Sequence, residues 1–241
     1  MSRAGEAIIL CGGLGTRLRD QDAGRPKALV PVAGRPFLAW QIEWLHRLGV
    51  RRVVLAAGFR ADQLDRWVRE HDTPTDIVVV TEPEALGTAG AVRHAASHVH
   101  GPDAFVTNGD TLLPNLRMGG ALATSTESVV MAAVATDGAH TGDRLDLRED
   151  PDGDRVVALE RRTTDGPAWK NGGFYRVRRD SIATWPADAR SLERDVFPWL
   201  AARGELLAQR TPPPLLDMGT PDGRSAMDDL LLGGLFSEDS L

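Results

Sequence analysis

The first half of the chain alternates continuous apolar runs with segments of helical spacing. The apolar runs lie at 7–11, 52–57, 76–81, 104–107 and 129–135, and helical patterns separate the first four of them at 36–48, 61–71 and 88–98. Strands that are apolar throughout are typical of a sheet buried on both faces. Strands that alternate with helices of about ten or more residues indicate right-handed βαβ units. The pattern therefore predicts an α/β fold with a doubly wound, mostly parallel sheet.

The second half of the chain has shorter, more polar strand patterns. Segments 143–147, 155–160 and 172–177 are expected as strands, and the Asp-Pro-Asp-Gly turn at 150–153 is a hairpin signal. These segments predict a small antiparallel β subregion. A helix at 191–203, a strand near 206–209, a short run at 215–218 and a last helix from 221 are expected after it. No segment is long enough to be a linker, so one domain is expected over 1–241.

Composition excludes several classes of protein. The net charge of −6 disfavours nonspecific binding to nucleic acid or to anionic membranes. No apolar run approaches the roughly 20 residues of a membrane-spanning helix, and the first residues lack the core of a signal peptide. The single cysteine, Cys11, excludes an intrachain disulfide framework and a thiolate zinc cluster, and we interpret it as a small buried residue. We expect a soluble cytoplasmic protein.

A glycine-rich segment, Gly-Gly-Leu-Gly-Thr-Arg-Leu at 12–18, directly follows the first expected strand. Glycines allow backbone N–H groups to approach an anion closely. A Walker A loop is excluded because the chain contains no Gly-Lys pair, and a dinucleotide fingerprint is excluded because Leu18 stands where the third glycine is needed. The segment therefore predicts either a cradle for a nucleoside triphosphate, with Arg17 and Lys27 as its cations, or a tight structural turn.

The lysines are rare. Lys and Arg together number 28, yet only Lys27 and Lys170 are lysines. Lysine is a compact point charge that can reach one phosphate oxygen, whereas the guanidinium group of arginine is a planar fork. The two lysines are retained either for this chemistry or by chance.

Short sequence blocks then follow in a fixed order. They are Gly-Gly-Leu-Gly-Thr-Arg-Leu at 12–18, Pro-Lys-Ala-Leu-Val-Pro-Val at 26–32, Leu-Gly-Thr-Ala-Gly at 86–90, Asn-Gly-Asp at 108–110, Asn-Gly-Gly-Phe-Tyr at 171–175 and Asp-Met-Gly-Thr-Pro at 217–221. In this order the blocks resemble the sugar-1-phosphate nucleotidyltransferases. Segment 31–38 is most similar to that of guanylyltransferases for D-glycero-α-D-manno-heptose 1-phosphate, and the chain is more loosely similar to mannose-1-phosphate guanylyltransferases.

The resemblance implies a Rossmann-like fold of the nucleotide-diphospho-sugar transferase type and a nucleotidyl transfer that depends on Mg²⁺. The nucleotidyl group, GMP from GTP, would pass to the sugar 1-phosphate and pyrophosphate would leave. Residues 1–135 would then form the nucleotide-binding part, 136–222 the sugar- and metal-binding part, and 223–241 a C-terminal helix and tail. Open alternatives are a mannose or other hexose substrate, another nucleoside triphosphate, and a non-catalytic regulator that binds a nucleotide sugar. Homodimers are common in the family.

The resemblance also implies roles for charged residues. Asp110 and Asp217 each end an expected strand and are expected to hold Mg²⁺, for which carboxylates are the usual ligands. Each could instead be a helix N-cap or an Asx turn. Arg17 and Lys27 are the expected catalytic residues, which would offset the charge on the leaving pyrophosphate. They could instead be solvated loop cations.

The remaining site residues divide between the two substrates. The nucleotide is expected to contact Leu10, Gly12, Gly13, Gly15, Thr16, Glu82, Gly87 and Thr88. Glu82 would select GTP, because a carboxylate only accepts hydrogen bonds and guanine offers adjacent N–H donors, or it would be an exposed glutamate at a strand end. The sugar 1-phosphate is expected to contact Asn108, Gly109, Glu160, Arg161, Lys170 and Asn171. Arg161 stands where the family usually has a lysine, so either Arg161 or Lys170 would hold the sugar phosphate.

Two acidic residues, Glu193 and Asp195, fall in the first turn of the helix expected at 191–203. Negative charge is favourable there because of the helix dipole. The block at 191–198 also resembles the family, and we interpret both residues as structural.

Overall fold

A computed structural model of the chain describes residues 5–13, 24–136, 140–164, 166–219 and 221–235, without the side chains of 140–142, 161–164, 221 and 222. Gly15, Thr16 and Arg17, three of the expected site residues, lie outside these ranges.

The strands and helices follow the predicted alternation. The strands are β1 (Gly5–Leu10), β2 (Pro31–Val32), β3 (Arg35–Pro36), β4 (Val50–Ala57), β5 (Asp76–Thr81), β6 (Asp103–Asn108), β7 (Thr111–Leu112), β8 (Val129–Thr136), β9 (His140–Arg148), β10 (Asp154–Thr164), β11 (Ala168–Arg178), β12 (Leu206–Thr211) and β13 (Leu216–Asp217). The α-helices are α1 (Phe37–Arg47), α2 (Ala61–Glu70), α3 (Gly87–Ala95), α4 (Gly120–Thr124), α5 (Phe197–Arg203) and α6 (Pro221–Leu232). Short 3₁₀ turns lie at Lys27–Leu29, Ala96–His98 and Asp180–Thr184, and a π-helical turn at Leu192–Val196 leads into α5.

Nine strands form one sheet in the order β5-β4-β1-β6-β11-β8-β12-β10-β9. The α/β content is as predicted, but the sheet is mixed. The first four strands are parallel, whereas β11 is antiparallel to both β6 and β8. Strand β9 pairs with β10 and also with β11, so the last five strands close on themselves.

The strands expected to form an antiparallel subregion are β9, β10 and β11, and β9 pairs antiparallel with both β10 and β11. All three belong to the main sheet, and β11 lies inside it, buried on both faces. Phe174 belongs to the hydrophobic core on one side of β11 and Tyr175 to the core on the other side, and both are 0% exposed. A strand with two apolar faces needs a layer of the molecule on each side.

Two hydrophobic cores stabilise the sheet from opposite sides. In β1, Ile9 belongs to the core that also contains Leu38 of α1 and Leu64 of α2. Its neighbour Ile8 belongs to the core that contains Val92 of α3. Because successive strand residues point to opposite faces, helices cover both faces of β1. Burial of each such aliphatic side chain contributes about 1.5–3 kcal/mol.

The register of the strands brings several loops together at one edge of the sheet. Leu10 at the end of β1 pairs with Asn108 at the end of β6, and the N–H of Gly109 donates to the carbonyl oxygen of Leu10 at 3.1 Å. In the small ladder of β7 and β13, Asp217 pairs with Thr111. None of the helices within the described ranges is long and apolar enough to cross a membrane.

Candidate active site

A cavity of about 440 Å³ opens at the carboxyl ends of β1 and β6. Ten residues expected at the site line it: Leu10, Gly12, Gly13, Lys27, Glu82, Gly87, Thr88, Asn108, Gly109 and Asp110. Residues from distant parts of the sequence therefore meet in one place. The carboxyl end of parallel strands is where open α/β sheets bind ligands.

A buried glutamine of α1 holds the turn that carries Asp110. Gln41 of α1 is 0% exposed, and its side-chain amide donates to the carbonyl oxygens of Asn108 at 2.8 Å and Thr111 at 3.0 Å. Gly109 lets the turn pack closely on the end of β1, because a Cβ at that position would overlap the carbonyl oxygen of Leu10. These contacts hold the backbone on both sides of Asp110 in place.

Lys27, Asp110 and Asp217 converge beside the cavity. The Lys27 Nζ atom lies 2.6 Å from Asp110 Oδ2. A Cβ built on Gly219 would lie 3.3 Å from the same Nζ atom and 2.8 Å from Asp217 Oδ1. The backbone N–H of Met218 also donates to the carbonyl oxygen of Asp110 at 3.0 Å. One cation and two carboxylates are therefore neighbours.

Both carboxylates also make local hydrogen bonds, but only that of Asp217 is the bond of an Asx turn, which runs to the N–H two residues on. Asp217 Oδ1 accepts from the N–H of Gly219 at 2.7 Å, and Asp110 Oδ1 accepts from the Thr111 hydroxyl at 3.2 Å. Within the described ranges no group of three or more His, Cys, Asp or Glu side chains could hold a metal ion by itself. A pair of carboxylates fits Mg²⁺, which takes one or two protein carboxylates and completes its shell with phosphate and water.

Glu82 stands directly over Gly12. A Cβ at Gly12 would overlap Glu82 Oε1, so the glycine is required for the side chain to lie there. Glu82 Oε2 accepts from the N–H of Leu86 at 3.1 Å, which fixes the orientation of the carboxylate. Since each carboxylate oxygen has two lone pairs, Glu82 keeps acceptor capacity toward the cavity that it lines.

The residues expected to bind the sugar 1-phosphate are less closely grouped. Asn108 and Gly109 line the cavity. Asn171 is not among the residues that line the cavity. Its Oδ1 atom accepts from the N–H of Gly173 and from the Tyr175 hydroxyl, both at 3.0 Å.

Three others lie on β10 and β11 but not among the residues that line the cavity: Glu160, Arg161 and Lys170. The side chain of Arg161 falls outside the described part of the structure.

Sequence reasoning missed Glu193 as a cavity residue and gave Cys11 no ligand role, yet both line the cavity. Burial raises the pKa of the Cys11 thiol to about 12, and the negative charges of Asp110 and Glu82 add to the effect. Glu193 was interpreted as structural because acidic residues are common in first helical turns. The only sequence signal for a further role was its place in a block, 191–198, that resembles the family.

Comparisons with known proteins agree with this architecture. The family profile described as the MobA-like NTP transferase domain matches residues 7–205. D-glycero-alpha-D-manno-heptose 1-phosphate guanylyltransferase from Campylobacter jejuni is 30% identical over 179 residues, which are 73% of this chain and 76% of that protein. Mannose-1-phosphate guanylyltransferase from Mycobacterium tuberculosis is 31% identical over 229 residues, which are 90% of this chain and 62% of that protein. The chain thus spans about three fifths of the mannose enzyme.

Solved structures give the same result. The crystal structure of HddC from Yersinia pseudotuberculosis superimposes with a TM-score of 0.82 at 28% identity, covering 94% of this chain and 99% of that one. A second HddC structure, complexed with GMP-PN, gives the same values. The inositol-1-phosphate CTP transferase from T. maritima superimposes with a TM-score of 0.81 at 18% identity, covering 99% of both chains, and therefore shares the fold.

Proposed function

The chain belongs to the family of MobA-like NTP transferase domains and is a sugar-1-phosphate nucleotidyltransferase, and from this premise we propose that it joins GMP from GTP to D-glycero-D-manno-heptose 1-phosphate. The single observation that carries the proposal is the convergence of Lys27, Asp110 and Asp217 beside a cavity walled by Gly12 and Gly13. The HddC structure with GMP-PN is consistent with a guanine nucleotide.

In the proposed reaction an oxygen of the sugar 1-phosphate attacks the α-phosphorus of GTP. The bond from the α-phosphorus to the bridging oxygen breaks, and pyrophosphate leaves with the electron pair. Such a transfer needs positioning and charge neutralisation more than covalent help from the protein. Lys27 would offset negative charge on the phosphates, and Arg17, which lies outside the described ranges, is the proposed second cation.

Mg²⁺ is part of the proposal, with Asp110 and Asp217 as its protein ligands. When bound, the ion would supply positive charge that neutralises the negative charge developing on the phosphates. Two neighbouring carboxylates beside the cavity support this assignment. The ion pair of Asp110 with Lys27 keeps both charged groups next to the place where the triphosphate would lie.

Glu82 is the proposed determinant of base choice. Its carboxylate accepts hydrogen bonds only, and guanine presents N1–H and N2–H₂ as adjacent donors, whereas adenine has no such pair. The hydrogen bond from the N–H of Leu86 holds the carboxylate in the cavity wall before any ligand arrives. This fixed orientation favours GTP over the other nucleoside triphosphates.

Mannose 1-phosphate is the alternative sugar substrate, because the Mycobacterium tuberculosis relative is named for it. The cytoplasm, where nucleoside triphosphates are available, is the proposed compartment. Formation of a homodimer stays a prediction.

The proposal is tested by release of pyrophosphate from the four nucleoside triphosphates with heptose, mannose and glucose 1-phosphates, in the presence of Mg²⁺. We expect the fastest release with GTP and heptose 1-phosphate. Asp110→Asn and Asp217→Asn should each lower kcat by about 10²–10³-fold, because each removes a negatively charged oxygen ligand of the proposed Mg²⁺ and with it the charge neutralisation that the ion would supply. Release equal to background in all twelve mixtures would contradict the proposal and favour a protein that binds nucleotide without catalysis.

The matched control for these variants is Asp180→Asn. Asp180 is a surface carboxylate paired with Arg178, and its side chain is 67% exposed. Its removal should leave kcat within about twofold, because exposed pairs contribute little.

A further inference from the structure

Glu193 is a carboxylate in the cavity wall to which the proposed reaction assigns no role. Its Oε2 atom accepts from the Thr88 hydroxyl at 3.1 Å and from the Ser191 hydroxyl at 3.0 Å. Among the described residues no cationic side chain forms an ion pair with it, and its Oε1 atom has no hydrogen-bond partner. A negatively charged acceptor is therefore left available at the cavity.

The carboxylate is held in place before any ligand binds. The Thr88 hydroxyl that donates to Glu193 also accepts from the N–H of Leu192 at 2.8 Å. Asp195 accepts from the N–H groups of Arg190 at 2.8 Å and Ser191 at 2.7 Å. These bonds lock the π-helical turn against the N-terminus of α3. A pre-organised acceptor loses less free energy on binding a ligand than a mobile one does.

Glu193 is bonded to Thr88 at the start of α3 and acts electrostatically on Tyr175 of β11. Its charge raises the pKa of Tyr175, next in effect to burial, and the Tyr175 hydroxyl bonds to Asn171. An unpaired carboxylate repels phosphate oxygens but accepts from hydroxyl groups. The chemistry that fits Glu193 is therefore the hydroxyl groups of a sugar.

A second cavity adjoins the first at Glu193. It measures about 790 Å³ and shares Gly87, Thr88 and Glu193 with the first cavity. Its other parts are lined by apolar residues and by charged ones: Pro186, Trp199, Asp188, Arg190, Arg194 and Asp195. Glu193 therefore borders both cavities. The second cavity gives room for the exocyclic carbon chain of a sugar whose phosphate binds in the first.

We propose that Glu193 accepts hydrogen bonds from the exocyclic hydroxyl groups of the sugar 1-phosphate and so determines which sugar is bound. This inference rests on the proposed function, because it takes a sugar 1-phosphate as the second substrate. Heptose carries one more exocyclic carbon and hydroxyl than mannose, and 6-deoxymannose lacks an exocyclic hydroxyl. The three sugars form a graded set of probes for one side chain.

The test is calorimetric binding of D-glycero-D-manno-heptose, D-mannose and 6-deoxy-D-mannose 1-phosphates to wild type and Glu193→Gln. The protein is saturated with Mg²⁺ and a GTP analogue that carries a methylene group between its α- and β-phosphorus atoms, so no turnover occurs. The variant should bind heptose 1-phosphate about 10–100-fold more weakly, as expected for a lost hydrogen bond to a charged group. Its affinity for the 6-deoxy sugar and for the GTP analogue should change less than about twofold.

The control is Glu205→Gln, since Glu205 accepts from the Ser128 hydroxyl at 3.2 Å outside both cavities. Glu193→Asp is the second variant. It keeps the negative charge but withdraws the carboxylate from the cavity by one methylene group. It should therefore bind heptose 1-phosphate more weakly with less risk to the fold. Equal losses for all three sugars, or unchanged heptose affinity, would overturn the inference. Loss of heptose affinity in a chain whose wild type releases no pyrophosphate would instead contradict the proposed function alone.

Discussion

Three carboxylates of the described chain line the cavity, and they differ in whether a cation is among their partners. Asp110 is paired with the Lys27 ammonium, Glu82 with the N–H of Leu86, and Glu193 with two hydroxyl groups. Only in Asp110 does a neighbouring cation offset the negative charge, so its surroundings suit phosphates. The other two remain acceptors for neutral donors. The partners of each carboxylate thus indicate which group of the substrates that carboxylate can bind.

Cys11 shows how the same environment suppresses reactivity. Burial, together with the charges of Asp110 and Glu82, raises the pKa of the thiol to about 12. The thiolate, which is the reactive form, is therefore scarce at any pH well below that value and becomes abundant only as pH rises toward it. We predict that the folded protein resists iodoacetamide at pH 8, as measured by mass spectrometry.

The denatured chain is the control for this experiment, because its thiol titrates near pH 8.5 and should be alkylated readily. Cys11→Ala should keep the rate of pyrophosphate release within about twofold, because a small buried side chain is replaced by another. Rapid alkylation of the folded protein, with loss of activity, would show that the thiol is accessible and ionised.

At the scale of the elements, local pattern predicted the parallel half of the sheet well. β5 has the predicted bounds 76–81, and α2 runs over Ala61–Glu70 where 61–71 was expected. Pattern could not predict that β11 joins β6 to β8, because that pairing depends on residues far apart in sequence. It also could not distinguish the π-helical turn at Leu192–Val196 from an α-helix, since five residues are too few for the wider spacing of a π-helix to show in the apolar pattern.

The junction between α3 and the π-helical turn depends on Gly87. This residue has φ of +73°, and a Cβ there would overlap the carbonyl oxygen of Arg190. Gly34 has a similar φ of +75° but no atom within 4 Å of the corresponding point. We predict that Gly34→Ala lowers the free energy of unfolding by about 1 kcal/mol, from backbone strain alone. Gly87→Ala should lower it by about 2–4 kcal/mol, because the overlap adds to the strain.

Urea denaturation followed by circular dichroism measures both free energies. Gly87→Ala should also weaken GTP binding, since Gly87 and Thr88 line the cavity. Equal stability losses in the two variants would show that the contact with Arg190 is unimportant.

At the scale of the whole molecule, the sheet connects the part proposed to bind the nucleotide to the rest of the chain. β11 pairs with β6 on one side and with β8 on the other, and the closed set of five strands is built on it. The sequence predicted a single domain from the lack of a linker. It could not predict this connection, for which the burial of Phe174 and Tyr175 in opposite cores is the physical cause.

A molecule connected in this way should unfold as one unit. We predict that tryptophan fluorescence and far-ultraviolet circular dichroism give one coincident urea transition. Trp44 lies in the core beside α1 and Trp185 in the core beside α3. Variants that retain only one of these tryptophans therefore report the unfolding of each core separately. Two transitions with different midpoints would indicate independent parts.

The most direct test of the account is a ³¹P nuclear magnetic resonance spectrum of GTP and D-glycero-D-manno-heptose 1-phosphate incubated with the protein and Mg²⁺. Cleavage between the α- and β-phosphorus atoms predicts equal growth of pyrophosphate and of a sugar diphosphate nucleotide, with both signals nearly abolished in Asp217→Asn. Growth of orthophosphate without a sugar nucleotide, or a spectrum that does not change with time, would contradict nucleotidyl transfer.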